Sequence, residues 1–200
     1  MANKEEWNNR YAEPECIYGL EPNVFLREQL SLLHPGYLLL PGEGEGRNAL
    51  WAARNGWRVL AFDFSYSALN KALKLLGREG VDVMYSLNSA ETFRPYWKFD
   101  AIGLIYFHLA REVRIDFHRK IAGWLNPGGT LIMECFHPEQ IGRDSGGPKN
   151  PDMLPSHDDL INDFINLKID TLNKEEILLN EGLLHQGKAV VTRLIARKPD

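Results

Sequence analysis

The segment from Tyr37 to Asp63, YLLLPGEGEGRNALWAARNGWRVLAFD, constrains the fold of this chain more than any other. It opens on an apolar run, Tyr37-Leu38-Leu39-Leu40, short enough for a buried strand. Gly42, Gly44 and Gly46 follow at alternate positions. A helical stretch begins near Arg47 and Asn48, with Ala49, Leu50, Ala52 and Ala53 as its small and apolar residues. Asn55-Gly56 stops it, because both residues tolerate the left-handed conformation of a helix end. A second apolar run, Val59-Leu60-Ala61-Phe62, ends on Asp63. Strand, glycine loop, helix, strand and terminal acid form a βαβ unit. In such a unit the acid lies beside the glycine loop and accepts hydrogen bonds from a ribose. The glycines permit the tight turn and clear side chains from the backbone, where a ligand can touch it.

The ligand implied is a nucleoside-containing cofactor. Gly42-x-Gly44-x-Gly46 is the spacing usual for binders of S-adenosylmethionine (SAM), while Gly44-x-Gly46-x-x-Ala49 also satisfies the dinucleotide pattern. Charge separates the two better than spacing. The loop carries Glu43 and Glu45, and a dinucleotide brings a diphosphate to the N-terminus of this helix. A carboxylate about 5 Å from one phosphate charge costs roughly 3 kcal/mol at an effective dielectric near 20, more than about a hundredfold in affinity. Arg47 offsets part of this. SAM has no phosphate and carries a sulfonium and an ammonium against one carboxylate. An acidic loop suits it, unless both Glu side chains simply point to solvent.

With 200 residues, 44% of them hydrophobic, the expectation is one domain with a single core. It divides into an N-terminal helical cap or lid over residues 1–35 and a Rossmann-like core over 36–200. The net charge is −4, and no basic patch points to nucleic acid. No apolar run reaches the length of a membrane span, and the polar start MANKEEWNNRYAEPE is unlike a signal peptide. Cys16 and Cys135 have no metal or redox spacing, which suits two reduced thiols in a cytoplasmic protein.

Lys4 to Tyr11 reads as a short helix with Trp7 and Tyr11 on one face. Pro22 fits the first turn of a second helix running to about Leu33. This aromatic-rich segment either covers the sheet edge or forms a lid, with Trp7 or Tyr18 against the cofactor and Arg10 near its carboxylate. Ser65 is a plausible N-cap for a helix through about Arg78. Val81 to Tyr85 reads as a third strand, whose tip, Leu87-Asn88-Ser89-Ala90, meets an adenine, with Asn88 toward the exocyclic amine. Phe99 to Ile105 is a fourth strand running into Tyr106-Phe107-His108-Leu109. Ligands of open α/β sheets sit at such carboxyl ends. The backbone of Tyr106 and Phe107 is therefore expected beside the reactive part of the cofactor, with His108 placed to orient an acceptor or take its proton. Arg111 to Leu125 is an amphipathic helix, stopped by Asn126-Pro127-Gly128-Gly129 before a fifth strand, Thr130 to Phe136. The stretch from His137 to Pro155 is rich in Gly and Pro and reads as an active-site wall or a surface insertion. A short helix begins at Ser156. Two long strands follow, about Asn166 to Asn180 and Lys188 to Ala196, joined by Glu181 to Gly187 and so antiparallel.

A mostly parallel sheet of seven strands closed by an antiparallel C-terminal hairpin is the Rossmann-like plan of class I methyltransferases. The chain resembles their tellurite-resistance type. The resemblance is carried by WNNRYAEPECIYGLEPNVFL, PGEGEGRNALWAARNGWRVLAFDFS, LNPGG, FHPEQIGRDSGGPKNPDMLP and LLHQGKAVVTRLIARK. It implies methyl transfer from SAM, with S-adenosylhomocysteine (SAH) as product. SAM contacts fall at Gly42, Glu43, Gly44 and Gly46, with ribose at Asp63 and adenine at Phe64 and Asn88. With the neighbours of these positions, the candidate cofactor set also includes Trp7, Arg10, Tyr18, Asn48, Ser65, Ser89, Tyr106 and Phe107. The resemblance brings the segment holding His185 to the acceptor side, so the catalytic candidates are His185 and His108. Two departures stand out. Leu40 occupies a position often acidic in this superfamily, a role Glu43 is expected to take over, and Gln186 follows the hairpin His where related enzymes have a basic residue.

The acceptor expected is a small molecule, a chalcogen oxyanion such as tellurite or selenite, or a thiol. Thiolates and oxyanions need no base, whereas a neutral oxygen or amine needs one. No metal is expected, since His137 and Glu139 alone do not make a site. The alternatives are an NAD(P)-binding oxidoreductase and a non-catalytic SAM-binding regulator.

Overall fold

The structure is a computed structural model and describes residues 4–200. The chain opens with α1 (Lys4–Ala12) and α2 (Val24–Leu30), followed by β1 (Tyr37–Pro41), α3 (Arg47–Arg54), β2 (Arg58–Asp63), α4 (Tyr66–Arg78) and β3 (Met84–Leu87). Next come β4 (Phe99–Ile105), α5 (Arg111–Trp124), β5 (Leu125–Phe136), α6 (His157–Asp163), β6 (Lys168–Glu181) and β7 (His185–Arg197). The sheet order is β3-β2-β1-β4-β5-β7-β6. The first five strands are parallel, and β7 pairs antiparallel with both β5 and β6. This is the expected Rossmann-like methyltransferase plan.

The unbroken apolar run of β1 follows from its central place. Leu38 and Leu40 face a core shared with Phe25, Leu26 and Leu30 of α2 and Ala49 and Ala52 of α3. Leu39 faces the other core, with Phe117 and Ile121 of α5 and Leu160 and Phe164 on and beside α6. A strand covered on both faces needs no polar residue. The order reverses at β1, flanked by β2 and β4. That is the switch point where open α/β sheets bind ligands beyond the strand ends.

Several boundaries differ from expectation. The second helix begins at Val24, because the side chain of Asn23 accepts from the Leu26 amide and caps it, leaving Pro22 outside. The third strand begins at Met84, because the Val81 amide is spent on the Leu76 carbonyl at the exit of α4. Asn126-Pro127-Gly128-Gly129 lies inside β5 as a bulge. Leu125 pairs Phe99 and Thr130 pairs Ala101, while Gly128 and Gly129 exchange hydrogen bonds with Lys198. Ser65 caps α4 as expected, and Ser156 caps α6 in a reciprocal box with Asp159. No helix among the described residues is long and apolar enough to cross a membrane.

Candidate active site

A cavity of about 850 Å³ opens at the carboxyl ends of β1, β2, β4 and β5. Its floor is the loop between β1 and α3. There Gly42, Gly44 and Gly46 have φ of 61°, 66° and 90°, a region other residues rarely adopt. The space their missing side chains leave is partly filled from within the protein. A Cβ on Gly42 would meet the Phe107 ring, and one on Gly44 would lie 2.8 Å from the Tyr11 hydroxyl. Gly46 does not line the cavity. It stands at the N-terminus of α3, where a Cβ would press on Ala72 of α4 at 3.1 Å, so its role is helix packing.

Both loop acids turn inward, an orientation the sequence left open. The Glu43 carboxylate accepts the Ala49 amide at 2.7 Å and the Asn48 side-chain amide at 3.2 Å, so it sits on the N-terminus of α3. Burial pushes its pKa up to about 7, and it makes no ion pair among the described residues. Glu45 accepts the Ile17 amide and pairs with Lys71, both at 2.8 Å. Arg47 holds the cap and the hairpin together. It donates to the carbonyls of Tyr18 and Glu21 and pairs with Glu181 at 2.8 Å.

Asp63 ends β2 beside this loop. Its Oδ2 accepts the Gly44 amide at 3.1 Å and its Oδ1 the Ser65 amide at 2.8 Å. Burial raises its pKa to about 6 against the pull of these amides. Phe64, Asn88 and Ser89 line the same end of the cavity. Ser65, by contrast, is fully buried. Its hydroxyl accepts the Ala68 amide and donates to Asn8 of α1, so it is a cap and a tether rather than part of the lining. The roof comes from α1 and the segment after it. Arg10 lies over the Trp7 ring at 4.4 Å and donates to the Tyr18 hydroxyl. Trp7 stacks on Tyr11.

At the other end, His185 opens β7 directly across from Glu181, which closes β6. Its Nδ1 lies 3.4 Å from the Glu181 carboxylate. Burial alone would raise the pKa of Glu181, but the His185 hydrogen bond and the Arg47 guanidinium hold it down to about 2. Asn23 links this carboxylate to Glu134, which in turn pairs with Arg193 at 2.6 Å. The rings of Tyr18, Tyr106 and Phe136 surround His185 at 4.6, 4.7 and 5.3 Å. Tyr106 takes φ +50°, costly for an aromatic residue, while its amide bonds to the Glu134 carbonyl.

His108 lines the cavity just after β4, where it was expected, but one of its ring nitrogens is engaged. Its Nε2 accepts the Phe136 amide at 3.1 Å, and burial with the nearby His185 lowers its pKa to about 3. It is neutral, and with that lone pair spent this nitrogen is not free to take a proton.

The stretch from His137 to Pro155 is an ordered wall, latched to β7. The Gln140 side chain accepts the Val190 amide and donates to Ser145 and Gly146, and Ser145 donates to the Lys188 carbonyl. Gly146 and Gly147, at φ 113° and 92°, let it lie against His185 and Phe136.

Glu181, Tyr11, Tyr85 (whose hydroxyl donates to the Gly44 carbonyl at 2.7 Å) and the latch were missed in the sequence reading. A signal for Glu181 existed. Residues flanking a short antiparallel turn are cross-strand partners. The expected connection, Glu181 to Gly187, was too long and hid the pair.

The model of the methyltransferase domain family matches residues 39–129. No curated protein sequence matches the chain. Among solved structures, TehB from Haemophilus influenzae aligns with a TM-score of 0.73 at 16% identity, over 98% of this chain and 66% of its own. The N-methyltransferase NodS from Bradyrhizobium japonicum WM9, solved with SAH, gives 0.70 at 16% identity over 98% of both chains. A protein solved in work on the conversion of a disulfide bond into a thioacetal group during echinomycin biosynthesis gives 0.79 at 14% identity, over 98% of this chain and 91% of its own. At these identities the likeness is one of fold. Together with the family match it bears out the resemblance to class I methyltransferases, TehB included.

Proposed function

We propose that this chain is a SAM-dependent methyltransferase acting on a small-molecule acceptor. One observation carries the choice of cofactor: the Glu43 carboxylate sits on the N-terminus of α3, where a dinucleotide would place its diphosphate. A buried acid with a raised pKa and no ion-pair partner among the described residues fits a cationic ligand and opposes an anionic one. This speaks against an NAD(P) oxidoreductase. The methyltransferase family match and the NodS structure with SAH support the same reading.

In this reading Asp63 accepts from the ribose hydroxyls, and Phe64, Asn88 and Ser89 receive the adenine. Glu43, with Gly42, Gly44, Asn48 and the backbone of Tyr106 and Phe107, holds the methionine end. Trp7, Arg10 and Tyr18 belong to a lid over a core of 36–200; the expected lid spans residues 1–35, of which 1–3 lie outside the described residues. When bound, SAM supplies an activated methyl group. The residues of the chain orient it, exclude water and place the acceptor in line. The resemblance to the tellurite-resistance type of methyltransferase brings chalcogen oxyanions into consideration as acceptors, beside thiols. Two unpaired thiols, Cys16 and Cys135, accord with a reducing cytoplasmic setting.

The test is isothermal titration with SAM, SAH, NAD and NADP. Micromolar binding of SAM and SAH, lost in Asp63→Ala, is expected. Binding of NAD without SAM would overturn the proposal, and SAM binding with no turnover on any acceptor would favour a regulator.

A further inference from the structure

A run of buried hydrogen bonds leaves the cavity at Glu43 and returns to it at His185 by a path behind the lining. Glu43 Oε2 accepts from the Asn48 side-chain amide at 3.2 Å, and Asn48 Oδ1 accepts the backbone N–H of Asn23 at 2.8 Å. Asn23 Nδ2 then donates to Glu134 at 2.6 Å and to Glu181 at 3.2 Å, and Glu181 meets His185 Nδ1 at 3.4 Å. Glu43, Asn48 and His185 line the cavity, while Asn23, Glu134 and Glu181 stand behind it. Asn23 is 1% exposed and out of a ligand's reach. Both amide orientations are forced by their partners. Asn48 turns one end to a backbone N–H, which must be its oxygen, and Asn23 does the same toward the Leu26 N–H. Nδ2 of Asn48 is therefore committed to Glu43, and Nδ2 of Asn23 to the two acids. This arrangement suits an ionised Glu43. A protonated Glu43 can donate to Asn48 only if that amide turns over. The Asn48 nitrogen would then face the Asn23 N–H, donor against donor, with a buried amide left unmet. Burial raises the Glu43 pKa to about 7, so both forms are populated near neutral pH. The charged and titratable groups about Glu43 are Arg47 on α3, Tyr85 on β3 and Asp63 across the glycine loop. Arg47 also reaches Glu181 directly, but a guanidinium is donor-only and permanently charged, so it tethers without reporting the state of Glu43.

Resting on the methyltransferase reading, we propose that Asn48 and Asn23 are positioning residues that couple the two ends of the cavity: a cation bound at Glu43 fixes the Asn48 amide and, through Asn23, fixes Glu134 and Glu181 at the hairpin. A cofactor carrying an ammonium group thereby sets the geometry around Glu181 when it binds. A nucleoside without that group leaves it unset. The coupling is reciprocal, so whatever orders Glu181 also favours the ionised Glu43 and tightens the cofactor.

Amide NMR reads each link. In ligand-free wild type the backbone and side-chain amide signals of Asn23 are expected to shift together as the pH rises through about 7. Saturating SAH below that midpoint should bring both signals to their high-pH positions. Saturating methylthioadenosine, which has the nucleoside and thioether but no amino-acid end, should move the amides of Gly44 and Ser65 beside Asp63 and leave Asn23 in place. In Glu43→Gln the Asn23 signals should stay fixed with pH and with saturating SAH. In Asn23→Ser, which keeps a cap for α2, the amide at position 23 should still answer SAH while that of Glu181 no longer does. An Asn23 response to methylthioadenosine equal to that to SAH, or one that survives Glu43→Gln, would refute the coupling. A Glu181 response that survives Asn23→Ser would refute the Asn23 route and leave Arg47 as the carrier. Failure of SAH to bind would instead sink the cofactor reading. The ligand-free pH titration would still test the link, and Asn23 signals flat through it would refute the proposal.

Discussion

Glu43 and Asp63 are two carboxylates buried beside one loop, with pKa values raised to about 7 and about 6. In the proposed reading each meets a cation or a ribose hydroxyl in its ionised form, so binding releases the protons they hold at lower pH. Affinity for SAH is then expected to rise with pH through about 6 to 7 and level off above. The limiting slope is about tenfold per pH unit for each group still protonated. Titrations across this range should show the Glu43 step vanish in Glu43→Gln. Asp63→Asn keeps the shape but replaces an ionised acceptor, and should weaken SAH by roughly 1.5–3 kcal/mol, the worth of a hydrogen bond to a charged group. The identity of both acids was legible in the sequence, because a glycine loop followed about twenty residues later by an acid dictates their neighbourhood. The inward turn of Glu43 was not. It depends on the free amides of α3, a preference that competes with solvation and leaves no mark in spacing.

The wall from His137 to Pro155 shows what an element gains from contacts remote in sequence. Its Gly and Pro content reads as loop, yet Gln140 satisfies the amide of Val190 fifty positions later. Replacing it by Ala strands that amide and should cost about 1–3 kcal/mol in chemical denaturation. Gly146→Ala is expected to act more locally. A Cβ there would lie 2.7 Å from the His185 ring and 2.8 Å from the Leu184 carbonyl, on a backbone at φ 113°. Turnover should fall while SAH affinity holds, as steady-state kinetics beside calorimetry will report. The strands were legible because burial on both faces writes apolar runs. Boundaries set by a single amide, such as Val81 on Leu76, were not. His108 misled for a related reason. Its place at the end of β4 was read correctly, but the partner that consumes its lone pair is the backbone of the neighbouring strand.

Across the molecule, the cap, the glycine loop and the hairpin turn form one connected body. Ile17 bonds to Glu45 and to the Leu183 amide, and Arg47 bridges Tyr18 to Glu181. A ligand gripping this body should stabilise the whole fold. At a hundred times its dissociation constant SAH adds about 2.7 kcal/mol, which at about 2–4 °C per kcal/mol for a chain of this size raises the melting temperature by about 5–10 °C. NAD at equal concentration should give no shift in the same thermal scan. The topology has a further consequence, for the order in which the chain assembles. β7 is made after β6, yet it lies between β5 and β6. Until its thirteen residues have left the ribosome, β6 has no neighbour to pair with, and the sheet stops at an open β5 edge. The nascent protein therefore carries β6 unpaired until β7 emerges, an interval open to chaperone capture or misassociation. The docking event that closes this window also sets Glu181 opposite His185, so a stalled chain would have a formed glycine loop but no Glu181–His185 pair.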